Sequence, residues 1–433
     1  MNKYVARLIG LTVISSLMVS CASPGGAPGE TGGADGTAQE VPDEGLSPIT
    51  VWIWEGPEGQ ALSEAALAYT EETGNEVSVE LLARQTATDT ISTAIIGGAT
   101  SPDLFETGSD RIPSYAAGGF IEPFEAYLDD DYGLSEFSSG VLDEMSWDEQ
   151  IYMLPTDIAT QLLFYRTDLL SEPPRDYDAY LEAARDLTQS LNPESETKYG
   201  LAVTAAPNTT ERNWLSVLWS FGGDILDEDG NVIVNSPEAV ESLEYWVGLS
   251  EAGVMPPDIA TYEYPQILTG LQEGVVGMAS QWNAAAPTLF SEEESPQIYD
   301  KIAIAPNPEG PAGAFVYAYA LGLSINANSE NKEGAAAFAE WVTSQDGGLV
   351  YTKAGGNNPR ASILADDGMV AERPWNPTLQ EALATSKGTV RHPEGLEINA
   401  IMRTHLSQAL VGEVEPQEAL DAMAEEIEAL IGE

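Results

Sequence analysis

The sequence is poor in cysteine, histidine and positive charge, and each scarcity excludes a class of protein. Cys21 is the only cysteine among 433 residues, so neither an intramolecular disulfide nor a structural thiolate metal site can form. His392 and His405 are the only histidines, and no HExxH, GxSxG, phosphate-loop or dinucleotide fingerprint occurs. We therefore expect no cofactor and no metal.

Charge is the most unusual property of the chain. Seventy acidic residues stand against seventeen basic ones, a formal charge of -53, which argues against nucleic acid or anionic lipid as a partner. The acids are dispersed along a chain that is still 43% hydrophobic. This pattern predicts a folded protein with an acidic surface, adapted to a salty exterior.

The N-terminus has the form of a secretion signal. Lys3 and Arg7 precede an apolar run, residues 8–19, that is too short to span a bilayer. The letters LMVSC at 17–21 resemble the bacterial lipobox, which implies cleavage after residue 20 and a diacylglycerol on Cys21. An ordinary signal peptide with an incidental cysteine is the alternative.

The mature chain divides by composition into a tether and a folded part. Residues 21–47 are rich in Gly, Ala, Pro, Ser, Thr and acids and contain no Lys or Arg, so we expect a flexible acidic tether. The remainder, from Pro48, exceeds the size at which one core keeps growing. Two domains are therefore expected.

Hydrophobic periodicity predicts alternating strands and helices at the start of the folded part. The pattern gives strands at 49–54, 77–82 and 103–107 and helices at 60–73 and 86–96, an order typical of a parallel sheet. Ligands bind beyond the carboxyl ends of such strands. The loops that begin at Trp54 and Thr107 are therefore expected to face a binding crevice.

Two later segments have local signatures. Residues 225–234 read as a hairpin turned at 228–231, and 237–252 as a helix capped by Ser236. A calcium loop beginning at Asp227 would need glycine at its sixth position, where Val232 stands, so the hairpin is the better interpretation.

An ordered series of segments resembles the bacterial extracellular solute-binding proteins that include maltodextrin- and polyol-binding proteins. It includes SPDLF at 101–105, YMLPTD at 152–157, SQW at 280–282 and GGNNPR at 355–360, and the likeness extends to the helix at 416–430. The resemblance implies a two-lobed, mostly parallel α/β fold, the type II periplasmic-binding-protein fold. It also implies an N-terminal lobe of 48–153 plus 309–350 and a C-terminal lobe of 154–308 plus 351–433. Segments near 153–160, 301–308 and 345–356 would join the lobes.

The resemblance also implies a function: a lipoprotein that captures a sugar, oligosaccharide or polyol outside the cytoplasm for an ABC permease, as a monomer and without catalysis. Sugar sites combine aromatic platforms with polar groups that hydrogen-bond hydroxyls. The candidates are Trp54, Glu55, Ser109, Asp110, Asp157, Trp282, Asn283, Tyr317, Tyr319, Asn358 and Arg360.

Other interpretations remain open. Glu55, Asp110 and Asp157 could act as the paired carboxylates of a secreted glycoside hydrolase. A binding protein for a non-sugar solute and an adhesive lipoprotein are further alternatives. Trp147 and Trp375 are additional aromatics that could line the cleft or pack within a lobe.

The dispersed acidity makes stability depend on salt. We predict that the denaturation midpoint of the chain from Pro48 onward rises between low and molar salt, because screening relieves repulsion among the carboxylates. Thermal melts over a salt series measure this. A midpoint that does not change with salt would contradict the adaptation hypothesis.

Overall fold

The computed structural model describes residues 48–129 and 131–432. The expected signal peptide, Cys21 and the tether lie outside these residues. Within the described part of the chain, no helix is both long enough and apolar enough to cross a bilayer.

Strands and helices alternate along the chain. The strands are β1 (Ile49–Trp54), β2 (Val77–Leu82), β3 (Leu104–Gly108), β4 (Ile121–Glu122), β5 (Ser146–Trp147), β6 (Gln150–Ile151), β7 (Leu154–Arg166), β8 (Tyr199–Ala202), β9 (Val276–Trp282), β10 (Ile302–Ala305), β11 (Val316–Asn326) and β12 (Ser386–Lys387). The first eight helices are α1 (Pro57–Thr73), α2 (Ala87–Ile96), α3 (Ile112–Ala117), α4 (Ser139–Met145), α5 (Tyr177–Asp186), α6 (Thr210–Phe221), α7 (Pro237–Glu251) and α8 (Tyr264–Gln272). The others are α9 (Ala286–Leu289), α10 (Lys332–Thr343), α11 (Gln345–Lys353), α12 (Ala361–Leu364), α13 (Asp367–Glu372), α14 (Asn376–Leu383), α15 (Gly395–Leu410) and α16 (Pro416–Ile431).

Local sequence signals explain several of these elements. Residues alternate between buried and half-buried along β1, as a strand with one face on the core requires. Pro57 begins α1, and Gly74 ends it in the left-handed conformation at φ 78°. The predicted cap of α7 is confirmed, because the Ser236 hydroxyl accepts from the Ala239 amide. The predicted hairpin is also confirmed by the antiparallel bridge between Leu226 and Val232.

One sheet extends through the whole folded part. Its main strand order is β2-β1-β3-β11-β7-β9-β8. We call the end of the sheet with β2, β1 and β3 the N-terminal half and the end with β9 and β8 the C-terminal half. Helices α1, α10 and α11 pack together on the N-terminal half, and α6, α7, α15 and α16 pack together on the C-terminal half. This arrangement confirms the expected two-lobed α/β architecture.

Two long strands connect the halves of the sheet. The first part of β7 pairs with β11, and its second part, from Gln161, pairs with β9. Strand β11 begins beside α6, where the Tyr317 amide donates to the Ser216 hydroxyl, and ends beside β3. Strand β10 pairs only with residues 163–166 of β7. Strand β11 thus provides one passage between the halves, and the passage implied near 301–308 stays a prediction.

A buried asparagine bridges the point where β7 changes partners. Asn283, 3% exposed, follows β9 directly. Its Oδ1 accepts from the Thr160 amide at 3.0 Å, and its Nδ2 donates to the Ile158 carbonyl at 3.1 Å. The side chain thus satisfies two backbone groups of β7 at the join between the lobes.

We predict that Asn283→Ala destabilises the fold by about 2 to 4 kcal/mol, because a buried amide and a buried carbonyl of β7 lose their partner. The denaturant midpoint measures this. The control is Asn235→Ala, which removes an exposed 2.9 Å bond to Asp421. Equal midpoint shifts in the two variants would contradict a special role for Asn283.

Candidate functional site

Aromatic rings gather where β9 and β11 meet. Trp282, the last residue of β9, is half-buried, and its ring lies 6.0 Å from that of Tyr317 in an edge-to-face arrangement. Tyr317 is 3% exposed, and Trp219 of α6 stacks on it at 6.5 Å. Tyr317 therefore supports Trp282 from within the core, and Trp282 keeps the more accessible surface.

An arginine joins these rings to the other lobe. The Arg212 guanidinium lies 5.8 Å from the ring centre of Trp282 and 5.6 Å from that of Tyr319. Its side chain is 25% exposed, and its Nε is 3.4 Å from a carboxylate oxygen of Glu211. Glu211 also receives a 2.7 Å bond from Arg403. The arginine is thus oriented by an ion-pair network while part of it stays accessible.

Tyr319 connects these rings to the residues that follow β3 in the N-terminal half. Its hydroxyl donates to Asp110 Oδ1 at 3.0 Å. Asp110 lies in a short 3-10 turn, Ser109–Arg111, directly after β3. A Cβ on Gly108 would lie 1.7 Å from the Tyr319 hydroxyl, so only glycine leaves room for the tyrosine there. Burial raises the pKa of Tyr319 well above 10, and the Asp110 carboxylate adds to the shift.

Trp54, the last residue of β1, is a further aromatic residue of the candidate site. The Arg84 guanidinium lies 5.4 Å from its ring centre, and Arg84 is 3.5 Å from a Glu58 oxygen. Trp54 and Tyr319 line the same small recess. The structure therefore brings together five of the predicted residues, namely Trp54, Asp110, Trp282, Tyr317 and Tyr319.

Several buried polar atoms around these rings have no hydrogen-bond partner among the described residues. They are Trp54 Nε1, both Glu106 carboxylate oxygens and Glu211 Oε2. Buried polar groups are normally satisfied by protein or by bound molecules. A concentration of such atoms beside accessible aromatic rings is the feature expected of a site for a polar solute.

Two predicted residues are engaged at the join between the lobes. Asp157, 4% exposed, accepts a hydrogen bond from the Tyr351 hydroxyl and one of 2.9 Å from the Asn357 amide. Burial raises the pKa of Asp157 to about 7, and these bonds oppose the shift. Asn283 binds the backbone of β7, as described above. Any ligand role for these two residues stays a prediction.

The other candidates do not join the cluster. The Arg360 guanidinium donates to the carbonyls of Thr343 and Tyr132 at 2.8 and 3.0 Å and packs against aromatic rings. Asn358 is fully buried beside it and accepts from the Arg360 amide. Glu55 is exposed. Ser109 is fully buried near Glu144, whose pKa burial raises to about 7, with Arg391 opposing.

A larger cavity, of about 790 Å³, lies between residues of both lobes. Glu58 lines it from α1, Phe290 from the segment after α9, and Trp375 from the segment before α14. The Trp375 and Phe290 rings are 5.4 Å apart. Trp375 borders this cavity but is only 8% exposed and belongs to the hydrophobic core, so it fits both interpretations of this tryptophan, and its lining of a cleft stays a prediction.

Sequence reasoning missed Arg212, Trp219 and Glu106. Arg212 lies in the first turn of α6, the helix that follows β8, so the rule that ligands bind beyond strand ends could have found it. Glu106 and Trp219 lie inside a strand and a helix and give no such signal.

A family model for bacterial extracellular solute-binding proteins matches residues 54–348. The chain belongs to this family. Maltose-bound MalE3 of T. maritima is similar in structure, with a TM-score of 0.76 and 27% identity over 88% of this chain and 99% of that one.

Two relatives are similar in sequence. A binding protein of Brucella abortus (strain 2308) is 25% identical, over 72% of this chain and 75% of its own length. The erythritol/L-threitol-binding protein of Mycolicibacterium smegmatis is 24% identical, over 79% of this chain and 75% of its own length.

The raised pKa of Asp157 predicts a pH effect on stability. The Asp157 carboxyl group has a pKa of about 7 in the folded protein instead of the usual 3.8, so the chain takes up a proton on folding between these pH values. The free energy of unfolding of the native protein therefore falls as the pH rises across that interval. Asn mimics the protonated acid. We therefore expect the free energy of unfolding of Asp157→Asn, relative to that of the native protein, to rise by at least about 1 kcal/mol as the pH increases from 4 to 8.

Thermal melts over that pH range measure the difference between the two proteins. The control is Asp229→Asn in the exposed turn of the hairpin, which is expected to show no such trend. A constant difference between Asp157→Asn and the native protein would contradict the assignment.

Proposed function

We propose that the protein binds a carbohydrate, meaning a sugar, an oligosaccharide or a polyol, between its lobes. The observation that carries the proposal is the half-buried Trp282, with the Arg212 guanidinium lying between its ring and that of Tyr319 and a buried Glu211 oxygen without a hydrogen-bond partner in the described residues. A sugar offers apolar C–H faces to a ring and hydroxyls to polar groups at its edge. The named ligands of the relatives, maltose and erythritol or L-threitol, support the same class.

The charges around the rings favour a neutral ligand. Arg212 and Arg403 share the carboxylate of Glu211, and Asp110 supplies a second negative charge near Arg212. Arg84 lies beside Glu58, and Asp110 can accept from hydroxyls as well as from Tyr319. A net charge of -53 disfavours anions at long range. Neutral polyhydroxyl compounds match this balance better than phosphorylated sugars or amino acids.

The proposal includes delivery to a membrane permease. The chain would work outside the cytoplasm as a monomer, held to the membrane by acyl chains on Cys21, and would pass its ligand to an ABC importer. Each buried methylene contributes about 0.8 kcal/mol, so several acyl chains suffice for a stable anchor. ATP hydrolysis would belong to a separate subunit.

A thermal-shift screen of the chain from Pro48 onward, in high salt, tests the ligand class. The screen includes mono-, di- and trisaccharides, polyols, amino acids and phosphorylated sugars. A ligand at a hundred times its Kd stabilises by about 2.7 kcal/mol, which is readily detected. A shift with a carbohydrate, and no products on chromatography afterwards, supports the proposal. A shift only with another class moves the function to a non-sugar solute, and released products indicate a hydrolase.

Trp282→Ala is expected to weaken binding of the carbohydrate found in the screen by about 1 to 3 kcal/mol, because the stacking surface is lost. Calorimetric titration measures the affinity. Trp341→Ala is the matched control, since that half-buried tryptophan packs on Tyr69 and bonds Glu72 in the N-terminal half. Unchanged affinity in Trp282→Ala would remove this residue from the site.

A further inference from the structure

A small recess lies at the carboxyl ends of β1 and β3. Its volume is about 50 Å³, and Trp54, Glu106, Arg111 and Tyr319 are among its lining residues. One water molecule needs about 10 to 15 Å³ of such cavity volume, so the recess has room for only about three to five groups of that size. A pyranose ring does not fit, whereas a short arm of a ligand does.

Two of the residues that line the recess have buried polar atoms with few hydrogen-bond partners among the described residues. Glu106 is 2% exposed, and its carboxylate oxygens make no hydrogen bond of good geometry with the described residues, although the Trp54 backbone amide lies close enough to lower its pKa. The indole N–H of Trp54 is buried and likewise has no acceptor there. The recess is therefore lined by two residues that each carry a buried polar group with little hydrogen bonding from the fold.

The charges near Glu106 favour a neutral arm. Burial raises its pKa well above 4.5, and the negative charges of Asp157 and Glu58 add to the shift while Arg84 opposes it. Arg111 places a cation in the lining itself. With cations and carboxylates both close, neither a charged carboxylate nor an ammonium group is clearly favoured. A hydroxyl can accept from the indole N–H and donate to the carboxyl group at once.

The recess adjoins the proposed carbohydrate site through Tyr319. The ring of this residue lies beside the Arg212 guanidinium, its hydroxyl bonds Asp110, and it forms part of the recess wall. A ligand bound at Asp110 therefore lies against one wall of the recess.

We propose that this recess is a specificity pocket for one hydroxymethyl group of the bound carbohydrate, held by the Trp54 indole N–H and the Glu106 carboxyl group. The inference rests on the proposed carbohydrate function. It makes the N-terminal lobe select sugars that carry an exocyclic CH₂OH over otherwise identical sugars that lack it.

Calorimetric titration with matched sugar pairs tests the pocket. The pairs are D-glucose with D-xylose, D-galactose with L-arabinose, and cellobiose with xylobiose. In each pair only the first member carries the hydroxymethyl group. The native protein is expected to prefer that member by about tenfold or more in at least one pair, the change that a satisfied hydrogen bond gives.

Three variants assign the preference to the recess. Glu106→Leu and Trp54→Phe are each expected to reduce the preference at least about threefold, since each removes one hydrogen-bonding group. Glu106→Gln retains a donor and an acceptor and is expected to retain the preference. Trp52→Phe, on the same face of β1 and outside the recess lining, is the control. Circular dichroism melts check folding, and Trp54→Phe keeps the test decisive if Glu106→Leu does not fold.

The outcomes separate the two proposals. Three results overturn the pocket and leave the carbohydrate function intact: binding of a carbohydrate in the screen but of no member of the three pairs, equal affinity for both members of every pair that binds, or a preference that survives both Glu106→Leu and Trp54→Phe. Binding of only non-carbohydrate solutes in the earlier screen overturns both.

Discussion

The pairing of β7 with β11 is the constraint on which the rest of the structure depends. Each strand runs from one half of the sheet into the other, so their ladder both joins the lobes and fixes the register between them. Because side chains alternate along a strand, this register places Tyr317 and Tyr319 on one face, Tyr317 against Trp282 and Tyr319 against Asp110. A slip of one residue would separate both pairs.

The scarcity of basic residues gives each arginine unusual weight. Among the seventeen basic residues of the chain, Arg391 bonds the carbonyls of Ser109 and Ser146, and Arg373 bonds those of Gly356 and Thr352. Arg212 lies instead beside the rings of the candidate site. Two of these arginines thus tie late segments of the chain to other backbone segments, and a third lies in the candidate site.

The sequence was most informative where a local rule applies. Periodicity located β1 and β2 to the residue, and the strand-end rule placed Trp54 and Asp110 in the site, because both depend on near neighbours in the chain. It was least informative where long-range packing decides a role. Arg360 has the chemistry of a ligand contact, but its donors are used by carbonyls of Thr343 and Tyr132. The burial of Glu106 depends on strands distant in sequence and has no local signature.

The proposed function requires that the lobes close on a solute held between them, so the ligand must bind the closed form more tightly than the open one. Small-angle X-ray scattering of the chain from Pro48 onward, with and without a saturating ligand, tests this most directly. We predict that the ligand reduces the radius of gyration and changes the scattering profile. Superimposable profiles, at a concentration where calorimetry shows full occupancy, would contradict it.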